Sequence, residues 1–429
     1  KRVLNRMPLG PRVWRFSKAV KNGGKKALTP AAFWGELGFD YIGPVDGHNF
    51  NELERALERA RQSSQPTLVY VLTQKGKGYP PAEDDCVGFH GVAPNGSSSS
   101  KAPSYSKVFG QTVARLLAQN PRVVAITAAM LQGTGLDKAA QQFPGRVLDV
   151  AICEQHAVTM AAGMTTQGFV PIVAVYSTFL QRGYDQIIHD VCLQELPVVF
   201  AIDRAGIVGD DGKTHQGTLD ISYLACIPNM VVAAPKDENE LQHMIYTATR
   251  AGRPMAVRYP RGNGVGVAMD AEFHELPLGK GEVLRQGKDA AILALGNMVY
   301  PALEAAQLLS DSGVECTVVN ARFAKPLDEE LILEVADATG RLVTVEENAL
   351  AGGFGSRVLQ LLASSGRHQV RVECLGISDR FVEHGPQPLL RSLFDLDSQG
   401  IARRVTEAFP ELKSKATVPP GGKAGGRRR

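Results

Sequence analysis

A β-branched run, Val147 to Ile152, stops at a carboxylate, Glu154; a small-residue helix, Ala157 to Thr166, begins there, and a second strand, Val170 to Val175, follows. That order is strand, helix, strand, with an acid at the C-terminal edge of the sheet, where open α/β sheets bind ligands. Read alone, Glu154 needs no function, because a carboxylate in a first helical turn is favoured by the helix dipole by about 0.3–1 kcal/mol.

The alternation continues on both sides. Asn49 followed three residues later by Glu52 is a capping box, with Phe50, Leu53, Ala56, Leu57 and Ala60 on one helical face, so a helix from Phe50 to Gln62 is expected. Thr67 to Thr73 reads as a buried strand. Ser106 to Ala118 reads as a helix, Val123 to Thr127 as a strand, Ser177 to Cys192 as a helix and Pro197 to Asp203 as a strand. Arg204 to Asp220 is a long Gly-rich loop. Val231 to Ala234, the helix Asp237 to Arg250 and Ala256 to Tyr259 complete a doubly wound, mainly parallel α/β sheet. Further on, strands are expected at Ala290 to Leu295, Cys316 to Asn320 and Leu342 to Glu346, with helices at Pro301 to Ser312 and Leu327 to Ala338.

Composition excludes several classes. No apolar run approaches membrane-spanning length, so no membrane span is expected. Residues 1–35 carry nine Lys or Arg and no acid, and residues 413–429 carry six and no acid, which leaves an acidic body between two basic ends. That is not the footprint of a nucleic-acid binder, whose basic residues cluster on a folded face. The six cysteines stand at scattered positions with no Cys-x-x-Cys pair, which points to reduced thiols in the cytoplasm and against a structural metal. Because the first residue is Lys, a piece of a longer chain is expected.

Three ungapped strings narrow the function: Asp149-Val-Ala-Ile-Cys-Glu154-Gln-His156-Ala, Tyr176-Ser-Thr-Phe179-Leu-Gln-Arg182, and Asp203-Arg204-Ala-Gly-Ile-Val-Gly-Asp-Asp211-Gly-Lys-Thr-His215-Gln-Gly217. They resemble the pyrimidine-binding domain of the 1-deoxy-D-xylulose-5-phosphate synthase family, thiamine-diphosphate enzymes of the transketolase group. The resemblance runs from about Thr29 to about Leu412 and implies a transketolase-like fold. Its expected parts are the C-terminal remnant of the diphosphate-binding domain (1–94), a Ser-rich linker (95–104), the pyrimidine-binding domain (105–268), a transketolase-type C-terminal domain (279–412) and a disordered basic tail (413–429).

By that resemblance Glu154 holds N1′ of the aminopyrimidine, Phe179 stacks on its ring, and Tyr79 and Lys75 contact the cofactor. His90, Asp211 and His215 assist at the reacting centre, while Tyr176, Arg182, Arg204 and Arg261 bind substrate. Planar guanidinium groups on loops suit phosphate oxygens. Ile152, Val158 and Met160 are expected to make the apolar walls around Glu154. The implied reaction condenses pyruvate with glyceraldehyde 3-phosphate to give 1-deoxy-D-xylulose 5-phosphate and CO2, in a homodimer, feeding isoprenoid, thiamine and pyridoxal synthesis.

One part of the family pattern has no counterpart. The Gly-Asp-Gly motif and following Asn that hold Mg2+ and the diphosphate do not occur here, so no metal ligand is assigned. Gly209-Asp-Asp211-Gly212 with Asn239 is rejected as a substitute, because that loop matches the substrate side and Asn239 sits in a first helical turn. Two expectations follow: part of an active synthase, or a catalytically silent split or degenerate subunit that pairs with the missing half, as the β subunit of a 2-oxoacid dehydrogenase E1 component does. Under both, residues 1–429 alone release no CO2. The turn Gln74 to Gly78 offers Lys and N–H groups that suit a phosphate, or is a basic surface turn. Gly352-Gly353-Phe-Gly355 lacks the spacing of a dinucleotide loop.

Overall fold

The computed structural model describes residues 30–85, 88–90 and 102–412. The expected linker up to residue 101 and the basic ends, 1–29 and 413–429, lie outside the described residues. Two compact units divide near Ser99 and Ser100.

In the first unit, β1 (Asp40–Asp46) and β2 (Thr67–Leu72) pair in parallel across the helix Phe50–Gln62. The helix starts where the capping box places it: Asn49 Oδ1 accepts the Glu52 N–H at 3.3 Å, and the Asn49 amide donates to the Glu52 carboxylate at 3.2 Å. A small core of Ile42, Val45 and Ala56 holds the three elements together. In the turn after β2, the Gly78 N–H already donates to Glu83 at 2.8 Å.

The second unit holds two sheets. The larger contains β3 (Val123–Thr127), β4 (Val147–Asp149), β5 (Val170–Tyr176), β6 (Val199–Asp203), β7 (Val231–Ala233) and β8 (Met255–Arg258), all mutually parallel. The smaller contains β9 (Glu282–Arg285), β10 (Ala290–Ala294), β11 (Cys316–Asn320), β13 (Arg341–Ala349) and β14 (Arg371–Ile377). Strand β12 (Phe323–Lys325) leaves the smaller sheet's region and pairs antiparallel with β7, giving a seven-stranded order β12-β7-β8-β6-β5-β3-β4. The predicted mainly parallel α/β architecture is what is found, the other antiparallel pairing being β11 with β9.

Packing explains why the strands read as continuous apolar runs. Every residue of β3, β6 and β10 is buried, because helices cover both faces. A shared core runs from Ile126 and Val158 through Phe200 and Leu293 to Phe354. The chain steps outward from β3 to β4, then crosses back to pair β5 on the other side of β3. That reversal is the switch point at which α/β sheets open a crevice beyond their carboxyl ends.

Two helical readings change. Ser177–Cys192 is a succession of short turns ending in a π-helical stretch, Ile187–Cys192, a form that often marks functional sites. The helix Glu238–Ala248 is capped by Asp237, which accepts the Glu240 N–H, while Asn239 reaches Asp270 instead. At Gly353 the buried Glu346 carboxylate accepts the N–H groups of Phe354 and Gly355, each at 2.8 Å, so the chain's own acid fills the place a phosphate would need.

Candidate active site

The site is built at the carboxyl ends of β4, β5, β6 and β8. Strand β4 ends at Asp149, whose Oδ1 accepts the N–H groups of Ala129 at 2.8 Å and Ala151 at 2.9 Å. Both alanines take the left-handed conformation, with φ 59° and 58°. One carboxylate thereby turns two strand ends at once and delivers Glu154 as the first residue of the helix Glu154–Thr165. Ile152, which follows that turn, is 76% exposed. Val158 is fully buried, and Met160 packs against the same core.

Glu154 is itself only 2% exposed. Its Oε1 lies 3.7 Å from Nη1 of Arg182, whose side chain is 53% exposed, so the pair bridges interior and solvent. Gly183 permits the approach of the two helical segments: a Cβ there would stand 3.1 Å from Val158 and 3.6 Å from the Glu154 carbonyl oxygen.

From Arg182 a run of contacts leads across the sheet edge. Its guanidinium lies 5.1 Å from the Phe179 ring centroid. Phe179 stacks on Tyr176 at 5.8 Å and meets the His215 ring edge-on at 5.5 Å. Arg204 lies over the Tyr176 ring at 3.9 Å, and Asp211 sits 3.9 Å from Arg204 and 3.4 Å from Arg261. Eight of the residues expected from sequence, Glu154, Tyr176, Phe179, Arg182, Arg204, Asp211, His215 and Arg261, thus form one connected group. The Gly209 to Gly212 loop points its Asp211 carboxylate at two cations.

Beneath this group lie residues that the sequence did not single out. Asp203 is fully buried; its Oδ2 accepts the Ser106 hydroxyl at 2.7 Å, while Oδ1 has no hydrogen-bond partner. Burial pushes its carboxyl up to about 6, against the opposing pull of the Ser106 bond and of Arg204. Burial likewise raises the Tyr176 phenol to about 12. Gly133 is where that phenol fits: a Cβ there would meet Tyr176 Oη at 1.6 Å. The buried Arg204 Nε also lacks a hydrogen-bond partner.

The first unit carries the other three expected residues. Tyr79 is exposed, precedes the helix Pro80–Asp84 and meets Phe89 edge-on at 5.7 Å. Lys75 is exposed in the turn after β2, and the side chain of His90 lies outside the described residues.

Among the described residues, one group of metal-type side chains lies close together: the ligand atoms of His243, Asp270 and His274 fall within 4.8 Å of one another. His243 Nδ1 accepts the His274 backbone N–H at 3.0 Å, so Nε2 carries the proton of the neutral ring and donates to Asp270 at 2.8 Å. With both nitrogens engaged, that ring has no lone pair for a metal.

Three family models match stretches of the chain. The model for the transketolase pyrimidine-binding domain matches residues 101–265, that for the transketolase C-terminal domain matches 279–401, and that for 1-deoxy-D-xylulose-5-phosphate synthase matches 1–73. The chain is 56% identical over 409 residues to a 1-deoxy-D-xylulose-5-phosphate synthase of Dehalococcoides mccartyi, covering 94% of this chain and 65% of that relative. It is 54% identical over 419 residues to 1-deoxy-D-xylulose-5-phosphate synthase 1 of Geobacter sulfurreducens, covering 96% and 66%. It therefore spans just under two thirds of their length. Among solved structures, a split-gene transketolase described as an inactive beta4 tetramer matches with TM-score 0.65 and 31% identity, over 73% of this chain and 99% of that one. A transketolase of Campylobacter jejuni matches in fold, with TM-score 0.61 and 17% identity, over 86% and 67%.

Proposed function

We propose that this chain, which belongs to the 1-deoxy-D-xylulose-5-phosphate synthase family of the transketolase group, supplies the aminopyrimidine side and the acceptor side of a thiamine-diphosphate site. The reaction is the condensation of pyruvate with glyceraldehyde 3-phosphate to 1-deoxy-D-xylulose 5-phosphate and CO2. The observation that carries this reading is the nearly buried Glu154 carboxyl lying 3.7 Å from the half-exposed Arg182. An acid at an apolar wall, with an aromatic ring on the next segment, suits a flat heterocycle that needs one proton held at its edge.

When bound, thiamine diphosphate supplies the carbon nucleophile and electron sink for decarboxylation and transfer. Glu154 holds the proton shared with N1′ of the aminopyrimidine, and Phe179 presents a ring face to it. Tyr79 and Lys75 belong to the cofactor side and His90 to the reacting centre. Arg204 and Arg261, with Tyr176 and Arg182, receive the acceptor's phosphate, for which charge-assisted N–H bonds are the strong recognition element. His215 moves the proton at the acceptor's carbonyl oxygen, since imidazole exchanges protons near neutral pH, and Asp211 orients the pair of arginines beside it.

The diphosphate side fits less well. The chain has no Gly-Asp-Gly motif with a following Asn, and its Asp211 already faces two arginines. Mg2+ is accordingly assigned to residues other than these, in a cytoplasmic homodimer. The test is Glu154→Ala in the holoenzyme, with pyruvate-dependent CO2 release as readout. We expect turnover to be abolished; rates like those of the parent enzyme remove Glu154 from its role.

A further inference from the structure

The loop 204–219 is Gly-rich and carries Arg204, Asp211 and His215; it buries Ala205, Ile207 and Val208 near its start, while Asp211 and His215 stand further along it. Its backbone is tied down from outside the sheet that bears it. Glu347, fully buried in β13, accepts hydrogen bonds from Arg391 Nε at 2.5 Å, Asn297 Nδ2 at 2.8 Å and the Ile207 N–H at 3.3 Å. The Glu347 backbone carbonyl also accepts from Arg258 at 3.1 Å. Gly206 lies against that carboxylate so closely that a Cβ would stand 2.2 Å from Oε2, at a φ of +78°. Gln387 spans the two arms of the arginine pair: its Nε2 donates to the carbonyls of Ile207 at 2.7 Å and Arg261 at 3.2 Å.

We propose that Glu347 and Gln387 are positioning residues that set the spacing of Arg204 and Arg261, and through it the discrimination between phosphorylated and unphosphorylated acceptors. This rests on the reading of those two arginines as the acceptor-phosphate site. The physical reason is geometric. Two guanidinium groups clamp one phosphate only if their separation matches its oxygens, and misplacement by about 1 Å can cost about a hundredfold in rate. Arg391 neutralises the Glu347 charge, so the remaining carboxylate lone pairs serve the loop: they receive the Ile207 N–H and shape the bed for Gly206. Gln387 then fixes the Arg261 strand end to the same loop, so neither arm of the clamp moves without the other.

The test compares kcat/KM for glyceraldehyde 3-phosphate with that for unphosphorylated glyceraldehyde in the holoenzyme. Variants Glu347→Gln and Gln387→Met are set beside Arg204→Met and Arg261→Met. Both positioning variants are expected to lower kcat/KM for the phosphorylated acceptor by roughly ten- to a hundredfold, mainly through KM. The unphosphorylated acceptor should change by less than about threefold. If both acceptors fall in proportion, the residues only support the fold and the proposal is overturned. Should Glu347→Gln fail to fold, Gln387→Met, which removes two uncharged hydrogen bonds, decides the matter. If the arginine variants abolish the preference while Glu347→Gln and Gln387→Met keep it, the positioning role alone fails. If the arginine variants keep it too, the phosphate-site reading fails and takes this proposal with it.

Discussion

Asp203→Asn tests the electrostatics under the arginines. The Asp203 carboxyl is fully buried, and its protonation midpoint rises from 3.8 to about 6, chiefly because burial disfavours the charged form. At about 1.36 kcal/mol per pH unit, ionising it costs the folded state on the order of 3 kcal/mol. The sign follows from proton binding. Between about pH 4 and pH 6 the folded state holds the proton more tightly than the unfolded chain, so stability falls as pH rises. The contribution is fully present below the unfolded value and lost above about 6. Ser106 donates to this carboxyl, and Arg204 and Arg261 oppose the rise by attracting its charged form, an attraction that the neutral amide of the variant lacks. Asparagine keeps the size and can still accept the Ser106 hydroxyl, but does not ionise. Urea denaturation of both proteins across this range gives the difference in unfolding free energy, in which the other titrating groups cancel. That difference should be near zero at about pH 4 and grow in favour of asparagine to on the order of 3 kcal/mol by about pH 8. A flat difference, or one that favours aspartate as pH rises, refutes the argument and means that the ionised carboxyl is well compensated by its arginines.

Two further outcomes are expected from packing. Arg258 and Asp220 are 4% and 0% exposed and joined at 3.0 Å, so Arg258→Met leaves a buried carboxylate without its cation. A loss of roughly 3–5 kcal/mol in denaturation is expected, with partial recovery in the double variant Arg258→Met, Asp220→Asn. Gly133→Ala places a methyl where the Tyr176 phenol now sits, 1.6 Å from its oxygen. The cost should be about 1–3 kcal/mol in stability. If Tyr176 binds the acceptor, KM for glyceraldehyde 3-phosphate rises as well.

The sequence made the sheet legible where burial on both faces left an unbroken apolar signal, as in β3, β6 and β10. It made the site legible through long ungapped strings, which carried eight residues now found in contact. What escaped is tertiary. Three-residue β12 is a strand only because β7 offers it an edge. Ile152 reads as the end of a strand, but the strand stops at Asp149, whose carboxylate accepts the Ala151 N–H and closes a turn. Consecutive Glu346 and Glu347 read as the end of a strand and its polar exit, yet both are buried. One meets the start of a helix and the other meets Arg391, partners that lie 8 to 44 residues away. Nothing in local periodicity predicts such pairings. The turns within Ser177–Cys192 are equally hidden, because each segment is too short to display a period of its own.

The arginines themselves separate into two kinds by how they are held. Arg258, Arg322 and Arg391 pair with carboxylates at 3.0, 2.6 and 2.5 Å, and these carboxylates are buried. Such distances are those of charge-assisted hydrogen bonds, which leave the guanidinium no reason to exchange partner. Arg182, Arg204 and Arg261 face carboxylates at 3.7, 3.9 and 3.4 Å, beyond that range, and Arg204 retains an unpartnered Nε. A contact that loose contributes Coulomb attraction but little directional bonding. On the proposed reading of these arginines as the acceptor-phosphate site, a phosphate that offers oxygens at about 2.8 Å gains more from them than their present carboxylates do. The tight pairs hold the scaffold in place, and the loose ones hold positive charge in reserve at its mouth. Expected from sequence as substrate-binding residues, Arg182, Arg204 and Arg261 are distinguished in the folded chain by the looseness of their carboxylate contacts.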